Sequence, residues 1–249
     1  MVFIRARWAA VRLILGLLLC LSAESARAMT FTANGVADTG TKPTIDFGYT
    51  PTNATAGTLT ITVTNTTPSP LPGGALTGLA FNVPTNVTGL TGFGFSSTDK
   101  GAKKFAAFIN VDSVGAGNLG GFDVGISNGG QSGNSKGKKG KSSSATAFTI
   151  DGGKAKDGVD PTFRATFTLG VTGSGMDALN VMNFLSEFSA GSGGGCCENF
   201  AVRFLGVNSS NGTSDFAVPD QPPSSVPEPS SVLLLGAGLA GAVRALRRR

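Results

Sequence analysis

Residues 58–65 (TLTITVTN) alternate strictly between a polar and an aliphatic side chain, and this is the most restrictive local pattern in the 249-residue chain. A period of two places Leu59, Ile61 and Val63 on one face of an extended segment and the threonines on the other. Such a segment is a half-buried β-strand, because only one of its faces suits a protein core. The chain must therefore form a sheet in which this strand pairs.

Six further segments have the length and composition of short strands, and turn-forming residues separate them: 89–96, 105–111, 121–127, 146–150, 163–171 and 199–207. This spacing predicts an all-β fold, an antiparallel β-sandwich or jelly roll, with phenylalanine as its main large core residue. One segment departs from the pattern. Apolar residues recur every three positions from Met176 to Phe188, which predicts one short helix.

The first 28 residues have the three parts of a secretory signal peptide. Arginines precede an apolar stretch at 13–21, which predicts a signal helix, and Ala26 and Ala28 form a small-x-small cleavage site. We expect the Sec machinery to export the chain and signal peptidase to cut it. The mature protein is then expected to begin at Met29.

The last 24 residues also have three ordered parts. A proline pair around a glutamate interrupts any helix, at Val226, Pro227, Glu228 and Pro229. An apolar run at 232–243 comes next, and then the basic residues Arg244, Arg247, Arg248 and Arg249. Because basic residues stay on the cytoplasmic side, these arginines act as a membrane stop and leave the preceding chain outside.

The terminal apolar run predicts a transmembrane helix. The stretch from Ser230 to Leu246 has 17 residues, and at 1.5 Å per residue it spans about 25 Å of a roughly 30 Å hydrocarbon layer. Snorkelling arginines cover the difference. A core helix is the alternative, but a soluble core does not require an arginine cluster directly behind it.

Residues 226–249 resemble the PEP-CTERM sorting signal in the order of motif, helix and basic tail. The resemblance implies processing near the motif by an exosortase, a membrane-embedded cysteine peptidase or transpeptidase. It also implies a bacterial host that makes extracellular polysaccharide. The protein would pass through the inner membrane with its C-terminus in the cytoplasm, and then reach the cell surface or the extracellular matrix. This family shares its signal and not its outer domains.

These features divide the chain into four parts. Residues 1–28 are the signal peptide, 29–214 a β-sandwich ectodomain, 215–225 a Pro- and Ser-rich linker, and 226–249 the sorting signal. Within the ectodomain, residues 127–144 hold glycine, serine and lysine with no large apolar residue, which predicts a flexible loop. Its lysines could bind an anionic polysaccharide or a lipid headgroup, although a solvated loop is the ordinary interpretation.

Charge and composition exclude several function classes. The region from Met29 to Val226 holds 12 basic and 13 acidic residues, so the basic surplus of the whole chain belongs to its two ends. We therefore expect no nucleic-acid partner. The chain has no histidine, which excludes Ser-His-Asp and Cys-His catalysis and histidine-ligated metals. We expect no catalytic residue and no cofactor.

Asp151, Asp157 and Asp160 form a weak candidate calcium site on a Gly-rich segment, since hard cations prefer oxygen ligands. Lys154 and Lys156 would compete with a cation there, and an ordinary acidic turn is the alternative. We therefore predict no metal, with these aspartates as the weak exception.

Cys196 and Cys197 are adjacent and are expected to be exported to an oxidising exterior. Neighbouring Cα atoms lie about 3.8 Å apart, below the usual 4.4–6.8 Å of a disulfide, so a bond between them would be strained. A strained vicinal disulfide, bridges to a second chain and buried thiols all stay open, with the vicinal bond favoured.

Together these features predict an exported, exosortase-sorted structural protein of the cell surface or of an exopolysaccharide or biofilm matrix, without catalytic activity. A carbohydrate-binding surface module is the alternative. Such modules usually stack sugars on tryptophan or tyrosine, and the mature chain has no tryptophan and one tyrosine, Tyr49. A secreted hydrolase is the second alternative, and it would need two carboxylates at a fixed separation.

Overall fold

The computed structural model describes residues 28–37, 39–68, 74–103, 105–129, 148–190, 197–207 and 214–220. Eleven strands occur in sequence in this part of the chain: β1 (Met29–Gly35), β2 (Pro43–Asn53), β3 (Ala56–Asn65), β4 (Ala75–Phe81), β5 (Val87–Ser97), β6 (Ala106–Gly115), β7 (Gly121–Ser127), β8 (Phe148–Thr149), β9 (Arg164–Gly173), β10 (Phe200–Leu205) and β11 (Ser214–Pro219). Two 3-10 turns, Ala155–Asp157 and Met176–Ala178, and one helix, α1 (Val181–Leu185), complete the described elements. The expected all-β class is confirmed.

The eleven strands form one sheet in the order β5-β9-β3-β2-β1-β11-β10-β4-β7-β6-β8, curled into a half-barrel. All strand pairs are antiparallel except β6 with β8. We call the strands from β5 to β2 the first limb and those from β11 to β8 the second limb. The two separate sheets of the expected sandwich are not confirmed, because β1 continues from one limb into the other.

The strand β1 joins the limbs by pairing with a different neighbour along each half of its length. Residues 29–32 pair with β2, where Phe31 lies opposite Ile45. Residues 33–35 pair with β11, where Ala33 lies opposite Pro219. The first strand of the predicted mature chain is therefore hydrogen-bonded to the last described strand, in the middle of the sheet.

The core fills the concave side of the sheet. The ring of Phe47 on β2 lies 5.5 Å from that of Phe200 on β10 and 6.3 Å from that of Phe81 on β4. Neither β10 nor β4 is a neighbour of β2 in the sheet, so these rings meet across the core. All three are fully buried. Burial of these rings removes apolar surface from water, and this favours the curled form of the sheet.

The second limb is covered on its outer side as well. Every residue of β4 is buried, unlike the alternating burial of β3. A smaller apolar cluster explains the difference, because Leu119 and Ile150 pack with Ala80 and Ala201 on the side away from the main core. A strand buried on both faces has no alternating pattern, which is why β4 carries no periodic signal that would identify it.

The expected helix over residues 176–188 is much shorter in the structure. It is divided into a 3-10 turn at Met176–Ala178 and the five-residue α1, whose first turn is capped by Asn180. The Asn180 side chain accepts from the backbone N–H of Met182 at 2.8 Å, and Asn183 returns a bond to the backbone of Asn180. This capping box begins a new helix in the middle of the periodic segment.

The domain boundary also requires correction. Residues 215–219, which the proline and serine content assigned to a linker, form most of β11. This strand lies between β1 and β10, and its Ala217 is fully buried. The described domain therefore extends to Asp220, and Pro219 is accommodated because it lies at the strand end.

Tyr49 fixes the 3-10 turn to the sheet. Its hydroxyl donates to the backbone carbonyl of Met176 at 2.8 Å, and its ring lies 5.1 Å from that of Phe184. The ring is buried, and Gly57 on the neighbouring strand β3 leaves room for it, since a Cβ at Gly57 would lie 2.2 Å from the Tyr49 oxygen. Burial, with a smaller effect of the Asp177 charge, raises the pKa of Tyr49 above its ordinary value.

Removing β11 should prevent folding, whereas removing only the residues beyond Asp220 should not. A chain of residues 29–220 keeps every described strand and is expected to unfold cooperatively in urea. A chain of residues 29–212 leaves β1 and β10 without the strand between them and is expected to lack cooperative unfolding. Circular dichroism against urea concentration measures both. Equal transition midpoints for the two chains would contradict this account of the sheet.

Tyr49 should titrate at unusually high pH and carry part of the alkaline stability. It is the only tyrosine in the chain, so absorbance of the phenolate reports it alone, with a midpoint expected above about 10. Because its pKa is raised on folding, its contribution is complete below about pH 10 and is lost as the pH rises further. Tyr49→Phe should cost roughly 0.5–1.5 kcal/mol at pH 7 and flatten this alkaline loss. A phenolate midpoint at the value of the urea-unfolded chain would contradict the prediction.

Candidate functional site

The last described residue, Asp220, is hydrogen-bonded to Thr32 and Asn34 of β1, and we call this contact the latch. The backbone N–H of Asp220 donates to the Thr32 carbonyl at 3.2 Å, and the Thr32 hydroxyl donates to the Asp220 carboxylate at 2.9 Å. The Asn34 amide donates to the second carboxylate oxygen. These bonds fix the point from which the chain continues toward the predicted sorting motif.

The motif Val226–Pro229 and the arginines of the membrane stop lie outside the described residues, as does the predicted transmembrane helix. Covalent geometry still limits their distance from the domain. Val226 lies six residues after Asp220, and at no more than about 3.6 Å per residue it is within roughly 22 Å of that latch. No helix in the described part of the chain is long and apolar enough to cross a membrane.

The predicted signal cleavage site lies at the other end of β1. Ala26 is outside the described residues, whereas Ala28 is described and exposed, directly before the first strand residue Met29. A cut after Ala28 would leave the whole of β1 in the mature protein. The cleavage itself stays a prediction.

A buried carboxylate holds the loop between β1 and β2 against β11. Asp215 is 2% exposed, and it accepts hydrogen bonds from the Ala37 backbone at 2.9 Å and from the hydroxyls of Thr39 and Thr41. Gly35 permits this approach, because a Cβ there would lie 2.2 Å from the carboxylate. Several donors to one buried carboxylate satisfy its charge without a cation.

The three aspartates of the weak calcium hypothesis lie on one segment but do not form a ligand set. Asp151 lies 3.8 Å from the guanidinium of Arg203, and Asp157 ends a 3-10 turn. The backbone N–H of Asp160 donates to the Asp99 carboxylate at 2.9 Å, and burial, together with a smaller effect of the Asp99 charge, raises the pKa of Asp160. Among the described residues, no three histidine, cysteine or acidic side chains are grouped closely enough to hold a metal ion.

Arg203 is a buried cation that sequence patterns did not reveal. It is 7% exposed on β10, and its guanidinium donates to the Gly152 carbonyl at 2.8 Å. Loss of hydration lowers the pKa of Arg203, while the nearby charge of Asp151 opposes that change. Because its donors are directed at the backbone of residues 150–152, Arg203 holds this segment over the second limb.

Asp123 on β7 also fixes the position of nearby backbone. Its carboxylate accepts from the backbone N–H groups of Val83 at 3.0 Å and Asp112 at 2.9 Å. Asp112 has φ 53°, and the pairing of β6 with β7 is irregular between Ile109 and Val114. The buried carboxylate therefore pins a bulge on β6, an irregularity that strands near a sheet edge commonly have.

The cysteine pair is only half described. Cys197 is exposed, has φ 84°, and its backbone N–H donates to the Ser189 hydroxyl at 3.1 Å. Cys196 lies outside the described residues, so the vicinal disulfide stays a prediction. Most of the predicted lysine loop is likewise undescribed. Its first residue, Ser127, ends β7 and is fully buried.

The outer face of the first limb and of the first half of β1 carries an array of hydroxyl groups. We call this surface the hydroxyl face, and its members are Thr30, Thr32, Thr44, Thr50, Thr58, Thr60, Thr62, Thr64, Thr91, Ser96, Thr166, Thr168 and Thr172. Alternation assigns them to this face, since the residues between them are in the core. Only Asp46 and Arg164 bring charge to the same face of these described strands.

The sequence motif at the C-terminus is confirmed by comparison with known proteins. A family model described as the PEP-CTERM protein-sorting motif matches residues 225–249. Neither the curated proteins nor the solved structures contain a significant match to this chain. The motif is associated with processing by an exosortase and implies an exported protein that is sorted to the cell surface. This chain is a PEP-CTERM domain-containing protein.

Proposed function

We propose that the β-domain serves as a structural component of the cell surface or of an extracellular matrix, such as an exopolysaccharide or biofilm matrix, without catalytic activity of its own. The observation that carries this proposal is the sorting motif at residues 225–249. A protein that is exported and sorted to the surface acts where matrix polymers are assembled. An exosortase, signal peptidase and the Sec machinery are its processing partners, and the membrane is crossed only in transit.

The use of the buried polar side chains supports a role without catalysis. Asp215, Asp123 and Arg203 each bond to backbone groups, so their charges stabilise loops and a bulge. Asp46 lies on the open outer face. A catalytic acid usually has a perturbed pKa in a cleft. The pKa of Asp160 is raised beside Asp99, but Asp160 is exposed, and the Asp99 carboxylate accepts hydrogen bonds from the backbone N–H groups of Gly101 and Asp160, so this pair also has a structural use.

The topology supports removal of the tail after folding. The last described strand is closed by β1 on one side and β10 on the other, and Asp220 is bonded to Thr32. A cut near Val226 lies beyond all these contacts. The released protein would keep every described strand, as a component deployed outside the cell requires.

A carbohydrate-binding surface module is the second candidate, and the hydroxyl face favours it. Sugars usually stack on exposed aromatic rings, but Tyr49 is buried and its hydroxyl donates to the Met176 carbonyl. Any sugar contact by the single tyrosine would require the domain to open. Polar contacts across the outer face would have to provide the affinity.

The mass of the C-terminal peptide tests the proposed route. In protein recovered from a host with an active exosortase, we expect the chain to end near Val226, and in the same host without the enzyme to end at Arg249. Replacing Val226–Pro229 by alanines should retain the full tail, whereas replacing the adjacent Ser224 and Ser225 should not. Intact mass and peptide mapping give both ends of the chain.

A tail that reaches Arg249 in every strain and variant would contradict exosortase processing. Binding of the purified protein to cells or matrix then tests the surface role separately. A protein that is processed but recovered only from the medium, with none on cells or matrix, would contradict the structural role and leave the sorting step intact.

A further inference from the structure

The hydroxyl face is in register across five strands. One row runs Thr30, Asp46, Thr62, Thr166 and Ser96, with each residue directly opposite the next. Strands lie about 4.8 Å apart and residues i and i+2 about 6.7 Å apart, so the face is a two-dimensional grid of hydroxyl groups. The strand β3 alone contributes four of them.

Hydrogen bonds hold several side chains of the first row in fixed positions. The Thr30 hydroxyl donates to Asp46 at 2.5 Å, and the hydroxyls of Thr62 and Thr166 lie 3.1 Å apart. Threonine is also stiff at χ1 because it is branched at Cβ. Because these side chains are already ordered, a partner that binds them causes little further loss of side-chain freedom. The entropic cost of binding is therefore low.

The next row offers hydroxyls that have no partner within the described chain. Thr60 lies directly opposite Thr168, and Gly48 and Gly94 flank the pair in the same row. A Cβ at Gly48 would meet only a backbone oxygen, at 3.8 Å, so that side is open. Neither threonine hydroxyl bonds to another described residue, and Thr168 is exposed. This row therefore offers two neighbouring hydroxyls that a partner could bind.

We propose that the hydroxyl face binds a neutral polysaccharide, with Thr60 and Thr168 at the centre of the contact. A threonine hydroxyl both donates and accepts a hydrogen bond, as the hydroxyls of a sugar do. The strands of this face bring one acidic and one basic residue, and the Asp220 carboxylate is bonded to Thr32 at its edge, so the face offers no surplus of positive charge to an anionic polymer. Repeated weak contacts along a polymer add up to useful affinity. The inference rests on the proposed location outside the cell.

Two other partners fit this surface less well. A protein interface normally has an apolar centre, and this face has none in its described strands, because their aliphatic residues point into the core. A rigid crystalline plane would require a planar array, whereas this sheet is curled and sheets twist by about 20° per strand. A single flexible glycan chain can adapt to the curvature.

Affinity electrophoresis of the mature protein recovered from its host tests the proposal. The probes are gels that contain dextran, hydroxyethylcellulose or glucomannan as neutral polymers, and alginate as an anionic one. At least one neutral polymer is expected to retard the protein. Thr168→Val, which removes a hydroxyl and keeps the branched shape, should weaken the binding about three- to tenfold, and adding Thr60→Val should weaken it further.

Thr85→Val is the matched control, because Thr85 is an exposed threonine in a turn and lies outside the hydroxyl face. It should leave the retardation unchanged, and thermal unfolding should show that all variants are folded. Loss of binding in Thr85→Val as large as in Thr168→Val would overturn the proposal. Retardation by none of the neutral polymers would also overturn it.

Retardation by alginate alone would overturn the proposal too, and it would assign binding to a basic segment such as the lysines at 136–141. None of these results depends on the C-terminal mass, because binding is measured on whichever mature form the host makes. Failure of the polysaccharide proposal is therefore distinguishable from failure of the sorting proposal.

Discussion

The structure depends on the shared pairing of β1. Its first half pairs with β2 and its second half with β11, so one seven-residue strand makes two limbs into a single sheet. The Phe31 ring lies 5.7 Å from that of Phe200 on the second limb, which ties the same strand into the shared core. Because the first and last described strands meet here, the sheet closes only when the chain from β1 to β11 is present.

Much of the β structure can be predicted from local sequence, and the exceptions have physical causes. Seven predicted segments overlap seven strands, and 121–127 matches β7 at both ends. The strand β11 escapes prediction because its proline suggests a linker and its partners are far away in sequence. The predicted helix is too long because Asn180 caps a new turn inside the pattern. The strand β2 does carry a usable signal, since Ile45, Phe47 and Tyr49 alternate.

The sorting motif can be predicted from the sequence alone, whereas the proposed binding face cannot. The sorting motif is linear, so its residues 226–229 identify it without a structure, and the family model agrees. The hydroxyl face is a property of register: alternation puts the threonines of β3 on one side, but only the pairing places Thr60 beside Thr168. Arg203 and Asp215 are not predictable in the same way, because a buried charge depends on partners that tertiary structure provides. A domain that β11 closes and that presents a polar outer face suits a protein that is sorted to the cell surface.

Native-state hydrogen exchange, resolved by residue, tests most directly whether β1 unites the two limbs. We expect the paired amides of β1 and of Ala217 to exchange as slowly as those of β3, and the central strands of both limbs to open with one common free energy. Two distinct opening free energies, one for each limb, or rapid exchange along β1, would contradict it.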